Sequence, residues 1–392
     1  MTDSSLNRRN FLAGACSVAA APFISPPVLA RPDINNRLVV VVLRGGMDSL
    51  AAVQPRGDPL FAKYRPRLAA ADARHTHRSL DLGGGFALNP AMQAAADLWR
   101  SDELAFVQAV STPYRDRRSH FEGQDILENG TGNASRRSGW LNRALTELPR
   151  GASSSALETS GFPSLTLRGR ADIDHWRPDI RRMPGPHTYA RLMALYRDDP
   201  AFAEALTSAT ALDKRYPPGR PPSRGGKKPA SATLDLIIRS LRGDVRVALM
   251  SFGGWDSHAQ QITKAKASFE RLAEMIVTLK AGVGPAVWDK TIVVFVTEFG
   301  RTVRENGSVG TDHGTGGAML LAGGALRGGR LYGKWPGLGE SDLLAGRDLC
   351  PTDDLRRYLG WVLRDHLEIP AKAIEDTVFP GVLLGASPRL LG

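Results

Sequence analysis

The sequence predicts an α/β fold, a three-layer α/β/α sandwich around a mainly parallel sheet. Three observations predict it. Leu38–Leu43, Leu104–Val110 and Ile292–Val296 are apolar runs rich in β-branched residues, with the composition of strands covered on both faces. Segments of helical length separate such runs, which implies right-handed crossovers and parallel pairing. Polar, glycine-rich loops then follow directly on strands, where open α/β sheets bind their ligands.

Taken in order, Leu38–Leu43 opens the sheet and delivers Arg44-Gly45-Gly46-Met47-Asp48-Ser49-Leu50. Residues 55–85 are rich in proline, arginine and glycine without a sustained period, and read as an irregular excursion. Asn89 caps a helix that starts at Pro90 and runs to Arg100. After the strand Leu104–Val110 comes a polar, aromatic stretch, Thr112–Gly130, whose second half has a helical pattern. Trp140–Leu148 reads as a helix, Ser164–Leu167 as a short strand and His187–Leu212 as a helical region. Residues 216–229 (YPPGRPPSRGGKKP) form a basic linker or surface loop. Alternation then resumes with a helix at Ala232–Arg242, a strand at Val245–Ser251 and a long helix at Gln260–Ala281. The strand Ile292–Val296, a short strand Ala318–Leu321 and an amphipathic helix Thr352–His366 complete the order. There is no internal repeat.

With 392 residues, 42% hydrophobic and 23% charged, the chain has the composition of a soluble globular protein with an ample core. The net charge is +11, of which Arg8, Arg9 and Asp3 contribute +1, leaving +10 beyond residue 30. Acidic and basic residues are interspersed, and no Lys/Arg block with interleaved aromatics exists, so nucleic acid is not an expected partner. An arginine-rich surface suits an anionic small-molecule or polymer substrate instead.

Asn7-Arg8-Arg9-Asn10-Phe11-Leu12 is a twin-arginine pattern, followed by an uncharged stretch to Val28-Leu29-Ala30. Pro22, Pro26 and Pro27 interrupt that stretch, so residues 1–30 read as a signal peptide rather than a transmembrane helix. A lipid-anchored variant at Cys16 is a poor fit, because Ala13 stands three residues before it. The expectation is a single domain over 31–392, exported through the twin-arginine machinery to the periplasm, cell envelope or exterior, with no transmembrane segment in the mature protein. Cys350 alone survives processing, so no intramolecular disulfide forms.

Four loops collect the chemistry. They carry Asp48-Ser49; Ser119-His120-Phe121; Asp256-Ser257-His258; and Glu298 with Arg301, Asp312 and His313. Imidazoles mixed with carboxylates suit Zn²⁺, Mn²⁺ or Fe, and one or two such divalent ions are the expected cofactors. Arg44 and Arg301 are candidates to hold the oxygens of an anionic ester through their planar forks. There is no H-E-x-x-H helix, no P-loop and no G-x-G-x-x-G after a strand, so zinc peptidase and nucleotide-binding readings lack their motifs.

The set LRGGMDSL, SHFEGQD, GGWDSH and TEFGRTVRENGSVGTDHGTGG, behind a twin-arginine leader, resembles the exported proteins of domain-of-unknown-function family 1501 over nearly the whole mature chain. That family resembles, distantly, the alkaline phosphatase, sulfatase and phosphoglycerate mutase superfamily. The resemblance implies an alkaline-phosphatase-like α/β/α sandwich with two metals at the carboxyl ends of its strands. It implies metal roles for Asp48, Asp256, His258, Glu298 and His313, with Asp312 beside them. Phe299 stands where a histidine ligand is expected, so a second metal needs His120. Ser49 follows Asp48 directly, whereas the superfamily's nucleophile lies farther along the chain. The implied function is hydrolysis of phosphate or sulfate esters, with Ser49 as candidate nucleophile. The alternative is a catalytically degenerate relative that binds a ligand or partner in the cell envelope.

Overall fold

The structure, a computed structural model, describes residues 35–392 except 76–77, 116–117, 150–154, 161–162, 177–184, 198 and 217–229. The twin-arginine segment and nearly all of the basic loop at 216–229 lie outside the described residues. Residues Asn35–Gly392 form one compact unit.

Its frame is a nine-stranded sheet: β1 (Arg37–Leu43), β2 (Leu104–Ser111), β3 (Ala156–Glu158), β4 (Asp174–His175), β5 (Val247–Phe252), β6 (Thr291–Val296), β7 (Gly317–Ala322), β8 (Arg330–Tyr332) and β9 (Asp353–Asp354). The spatial order is β8-β2-β7-β6-β1-β5-β3-β4, with β9 beside β2. Only β7 runs against the rest, pairing antiparallel with both β2 and β6. A glycine-rich loop over residues 297–316, without a crossover helix, joins β6 to β7 and lets the chain turn back beside β6.

β1 alternates cleanly between two cores. Val39, Val41 and Leu43 pack into one with Leu236 and Ile237 of α4 (Ala230–Arg242) and Phe269, Leu272 and Ile276 of α5 (Gln261–Val283). Leu38, Val40 and Val42 pack into the other with Trp140 and Leu141 of α3 (Trp140–Thr146) and Leu359 and Leu363 of α6 (Leu355–Leu367). Each such buried side chain stabilises the fold by about 1.5–3 kcal/mol, an upper estimate because denatured chains are partly compact. The two apolar faces make β1 a central strand and the architecture a three-layer α/β/α sandwich.

Several local expectations are corrected. Residues 55–85 are not wholly irregular: Asp58 caps a helix at Pro59–Tyr64, a second helix spans Pro66–Ala73, and Leu80–Gly83 pairs with Phe86–Leu88. Ser164–Leu167 is no strand, since Leu165–Leu167 forms a 3₁₀ turn. The region 187–212 is two helices, Pro186–Leu195 and Pro200–Arg215, because Pro200 cannot continue a hydrogen-bond ladder. α6 starts at Leu355, capped by Asp354, rather than at Thr352. No helix among the described residues is long and apolar enough to cross a membrane.

Register sets up the site. Leu43 pairs with Phe252 and Val42 with Val296, so β1, β5 and β6 end level with one another. The loops after them, beginning at Arg44, Gly253 and Thr297, therefore emerge side by side.

Candidate metal centre

Glu298 is the innermost group of the cluster, 1% exposed, one residue beyond Thr297 at the end of β6. Its Oε1 accepts from the Gly45 amide at 2.9 Å, from Gln124 Nε2 at 3.3 Å and from His120 Nδ1 at 2.8 Å, while Oε2 accepts from the Thr297 hydroxyl at 3.0 Å. Burial pushes its pKa up, but the bonds from His120 and backbone amides outweigh that and hold it below the usual range. Glu298 is thus a carboxylate at neutral pH, and His120 must donate to it from Nδ1.

His120 opens α2 (His120–Asn129), which places its ring over the ends of β1 and β6. With Nδ1 donating, the neutral ring turns the lone pair of Nε2 inward; that atom is buried without a good partner, 3.5 Å from Asp256 Oδ2. The bond it donates to Glu298 raises the basicity of this imidazole, against the lowering effect of burial. His258 and His313 repeat the arrangement. His258 Nδ1 bonds Asp312 Oδ1 at 3.0 Å, and His313 Nδ1 bonds the Arg118 carbonyl at 2.8 Å. A carbonyl and an ionised carboxylate only accept, so both Nδ1 atoms are donors, and in the neutral form of each ring Nε2 bears the lone pair. Burial, ahead of the neighbouring Arg301 charge, lowers the His313 pKa below the usual imidazole value, against the raising effect of its bond to the Arg118 carbonyl.

The three Nε2 atoms converge on Asp256. Its Oδ1 lies 3.1 Å from His258 Nε2 and 3.4 Å from His313 Nε2, and those two nitrogens are 2.8 Å apart. Two lone pairs at that separation repel unless a proton or cation sits between them. Single ligand atoms of His120, Asp256 and His313 all lie within 4.8 Å of one another, close enough to share one ion. Asp256 stays ionised: burial raises its pKa, and the Arg301 bond and charge, with the neighbouring imidazoles, bring it below the usual carboxylate value.

Backbone geometry allows the convergence. Gly45 has φ +118°, and a Cβ there would stand 2.6 Å from the Asp256 amide nitrogen. A Cβ on Gly310 would stand 2.3 Å from the His258 main chain. Both loops close over the cluster only as glycine.

Arg301 proves to be a clamp, not a substrate contact. Its side chain is fully buried; Nε donates to Gly46 O at 2.7 Å, Nη1 to Thr311 O at 2.9 Å, and Nη2 to Trp255 O at 3.1 Å and Asp256 Oδ1 at 2.7 Å. One guanidinium fork ties together all three strand-end loops. Arg44 is likewise occupied, by Ser251 Oγ at 3.0 Å, Gln124 Oε1 at 2.8 Å and Glu128 Oε1 at 2.6 Å.

Asp48 is also corrected. It caps α1 (Ser49–Ala52) through the Ala51 amide at 3.1 Å, and its Oδ2 receives Arg65 at 2.7 Å and Gln261 at 2.5 Å. Arg65 and Asp48 are both buried, so this carboxylate is spent on an ion pair. Ser49 is buried in the first turn of α1. Glu298 and Asp312 lie behind the rings, accepting from Nδ1 of His120 and Nδ1 of His258. Phe299, in the position expected for a histidine, stacks 4.9 Å from the His120 ring and 4.8 Å from His313, walling one side of the cluster. The orienting Gln124, Asn306 and Arg118 carry no signal in the sequence beyond their nearness to His120 and Asp312.

A family model described as a protein of unknown function, DUF1501, matches residues 108–378. The span holds the His120, Asp256–His258 and Glu298–His313 motifs but leaves LRGGMDSL outside, a narrower match than the whole-chain resemblance. No curated protein matches the chain. Among solved structures the chain is similar to the C-terminal periplasmic domain of EcEptC from Escherichia coli in complex with Zn, at 9% identity and TM-score 0.36, over 74% of this chain and 73% of that one. It is similar to a TAB5 alkaline phosphatase variant with Mg bound, at 11% identity and TM-score 0.35, over 73% and 90%. It is similar to the phosphonate monoester hydrolase of Agrobacterium radiobacter, at 10% identity and TM-score 0.35, over 86% and 74%.

Proposed function

The chain belongs to the DUF1501 family, and from that premise we propose that it is an exported, metal-dependent hydrolase of phosphate or sulfate esters. One observation carries the reading: three imidazoles, each with Nδ1 committed to an acceptor, turn Nε2 toward a single carboxylate. Nitrogen and carboxylate donors of this kind fit Zn²⁺, Mn²⁺ or Fe²⁺, and the orphaned Nε2 of His120 is accounted for by such an ion. His120, Asp256 and His313 would hold it, with His258 as the fourth donor. A divalent cation there supplies positive charge against an anionic ester and lowers the pKa of water.

The protein's own groups do the positioning. Glu298, Asp312 and the Arg118 carbonyl fix the three rings; Arg301 fixes Asp256; Phe299 excludes water from one flank. The twin-arginine pattern and the interrupted apolar stretch after it support export to the periplasm or envelope. The motifs TEFGRTVRENGSVGTDHGTGG and GGWDSH support the ester class through their superfamily resemblance.

A second reading, ligand binding without turnover, draws on the burial of Ser49 and the capture of Asp48 by Arg65. With Ser49 buried in α1, the hydrolase reading is direct attack by water in place of a covalent serine route. Elemental analysis of protein purified by its own export route decides first, with His313→Ala as control. Near-stoichiometric Zn, Mn or Fe that falls in the variant is expected, followed by turnover of a phosphate or sulfate ester. Metal-free protein in both cases overturns the hydrolase reading; metal without turnover of any ester leaves the binding reading.

A further inference from the structure

Behind His313 lies a narrow cleft walled by Tyr114, Arg115, Arg118, Thr315, Arg347 and Asp348. Two hydrogen bonds join it to the cluster. The Arg118 carbonyl accepts from His313 Nδ1 at 2.8 Å, and Arg347 Nη1 donates to the His313 carbonyl at 2.9 Å. Three guanidiniums here face one carboxylate, Asp348, which is already engaged by Arg347 at 2.6 Å and by the Thr315 hydroxyl at 2.9 Å. The cleft therefore carries an excess of positive charge that no acidic group among its walls offsets.

Donors are also left over. Arg115 commits Nη1 to the carbonyls of Thr112 and Tyr114, which leaves Nε and Nη2. The guanidinium of Arg118 makes no hydrogen bond or ion pair among the described residues, although its backbone is fixed at φ +53°, a conformation non-glycine residues seldom adopt. That strained turn delivers the Arg118 carbonyl to His313 and its side chain to the cleft. Unspent guanidinium forks in a concave site of one charge sign match the oxygens of phosphate, sulfate or carboxylate.

We propose that this cleft binds a second anionic group of the substrate, beside the ester held at the histidine cluster, so that the substrate is a di- or polyanion. The word substrate rests on the hydrolase reading; the anion site itself does not. The two are separated by titrating metal-stripped full-length protein with inorganic phosphate, sulfate and acetate by calorimetry, and by measuring zinc uptake on the same preparations. Arg118→Asn is the main variant, because asparagine tolerates the left-handed backbone, and Arg115→Gln is the second. Saturable binding of at least one anion is expected, weakened about tenfold in either variant, restored by Arg118→Lys, and weakened by added salt. The tightest of the three identifies the group. Zinc uptake should be equal in wild type and Arg115→Gln. No saturable binding by the wild type, or equal affinity in wild type and variants, overturns the proposal. Parallel loss of zinc uptake in Arg118→Asn also overturns it, by making Arg118 a support of His313 alone. Should the wild type bind anion but take up no zinc, the hydrolase reading fails and the cleft stands.

Discussion

Asp312 holds no ligand position, yet its carboxylate fixes which nitrogen of His258 bears a proton. Oδ1 receives His258 Nδ1 at 3.0 Å and the Asn306 amide at 3.1 Å, and the His258 bond, first among its neighbours, keeps Asp312 ionised below the usual range. Asp312→Asn preserves size but offers an amide that can present either oxygen or NH₂ to the ring. The ring then loses its fixed tautomer, and metal affinity should fall about 10–100-fold with all coordinating side chains intact. Competition against a chelator reads this directly; an affinity equal to wild type would remove Asp312 from the site. At this scale the sequence is legible where a residue follows closely on a strand, as Asp256, His258 and Glu298 do, or sits among glycines in a strand-end loop, as His313 does. It misleads where the partner is distant. Asp48 occupies the same kind of position, but Arg65, 17 residues on, and Gln261, 213 residues on, capture it. Arg301 reads as an exposed anion contact until the four carbonyls and the carboxylate around it are seen.

Elements with long, uninterrupted apolar periods were legible: β1, β2, β5, β6, α4 and α5 fall within a few residues of expectation. Strands of two or three residues, β3, β4, β8 and β9, bury too little for a pattern to form and are held by neighbours instead. The reversed β7 follows a connection without a crossover helix, and its own composition does not reveal its direction. α6 shows a further tertiary device. In its last turn His366 is buried, 2% exposed, and donates Nε2–H to the Arg37 carbonyl at the start of β1 at 2.9 Å, while Asn36 Nδ2 donates to the His366 carbonyl at 2.7 Å. Burial pushes this imidazole down to about 4 from 6.5. The unfolded chain takes up the proton near pH 6.5 and the folded one near 4, so between these values the unfolded state binds more protons and stability rises with pH. The contribution is complete above pH 6.5, and about 3 kcal/mol of it is gone below pH 4. His366→Gln keeps a donor and removes the titration. Urea unfolding at pH 7 and pH 4.5 should show the wild type losing roughly 2–3 kcal/mol more than the variant. Equal losses in both would mean that this histidine is not titrating as described.

Across the whole molecule, one small cluster draws together the N-terminus of α2, the loop after β5 and the loop between β6 and β7. Each comes from a different part of the chain, and Arg301 is the main protein group that spans the strand-end loops. Four donors, three of them imidazoles with inward lone pairs, repel one another without a positive charge between them. An ion that binds only this assembled geometry must therefore stabilise the fold by mass action, whatever its part in chemistry. With free Zn²⁺ at 100 times its dissociation constant the gain is about 2.7 kcal/mol, a shift of a few degrees in the thermal midpoint. Chelator-treated protein should melt lower than the zinc-loaded protein, and the gap should grow with the logarithm of zinc concentration. His313→Ala, which removes one donor and relieves part of the repulsion, should show little gap and a chelator-treated midpoint no lower than wild type. A wild-type midpoint indifferent to zinc would mean that the three rings are arranged for a proton and not for a metal, with Asp256 as its counter-ion.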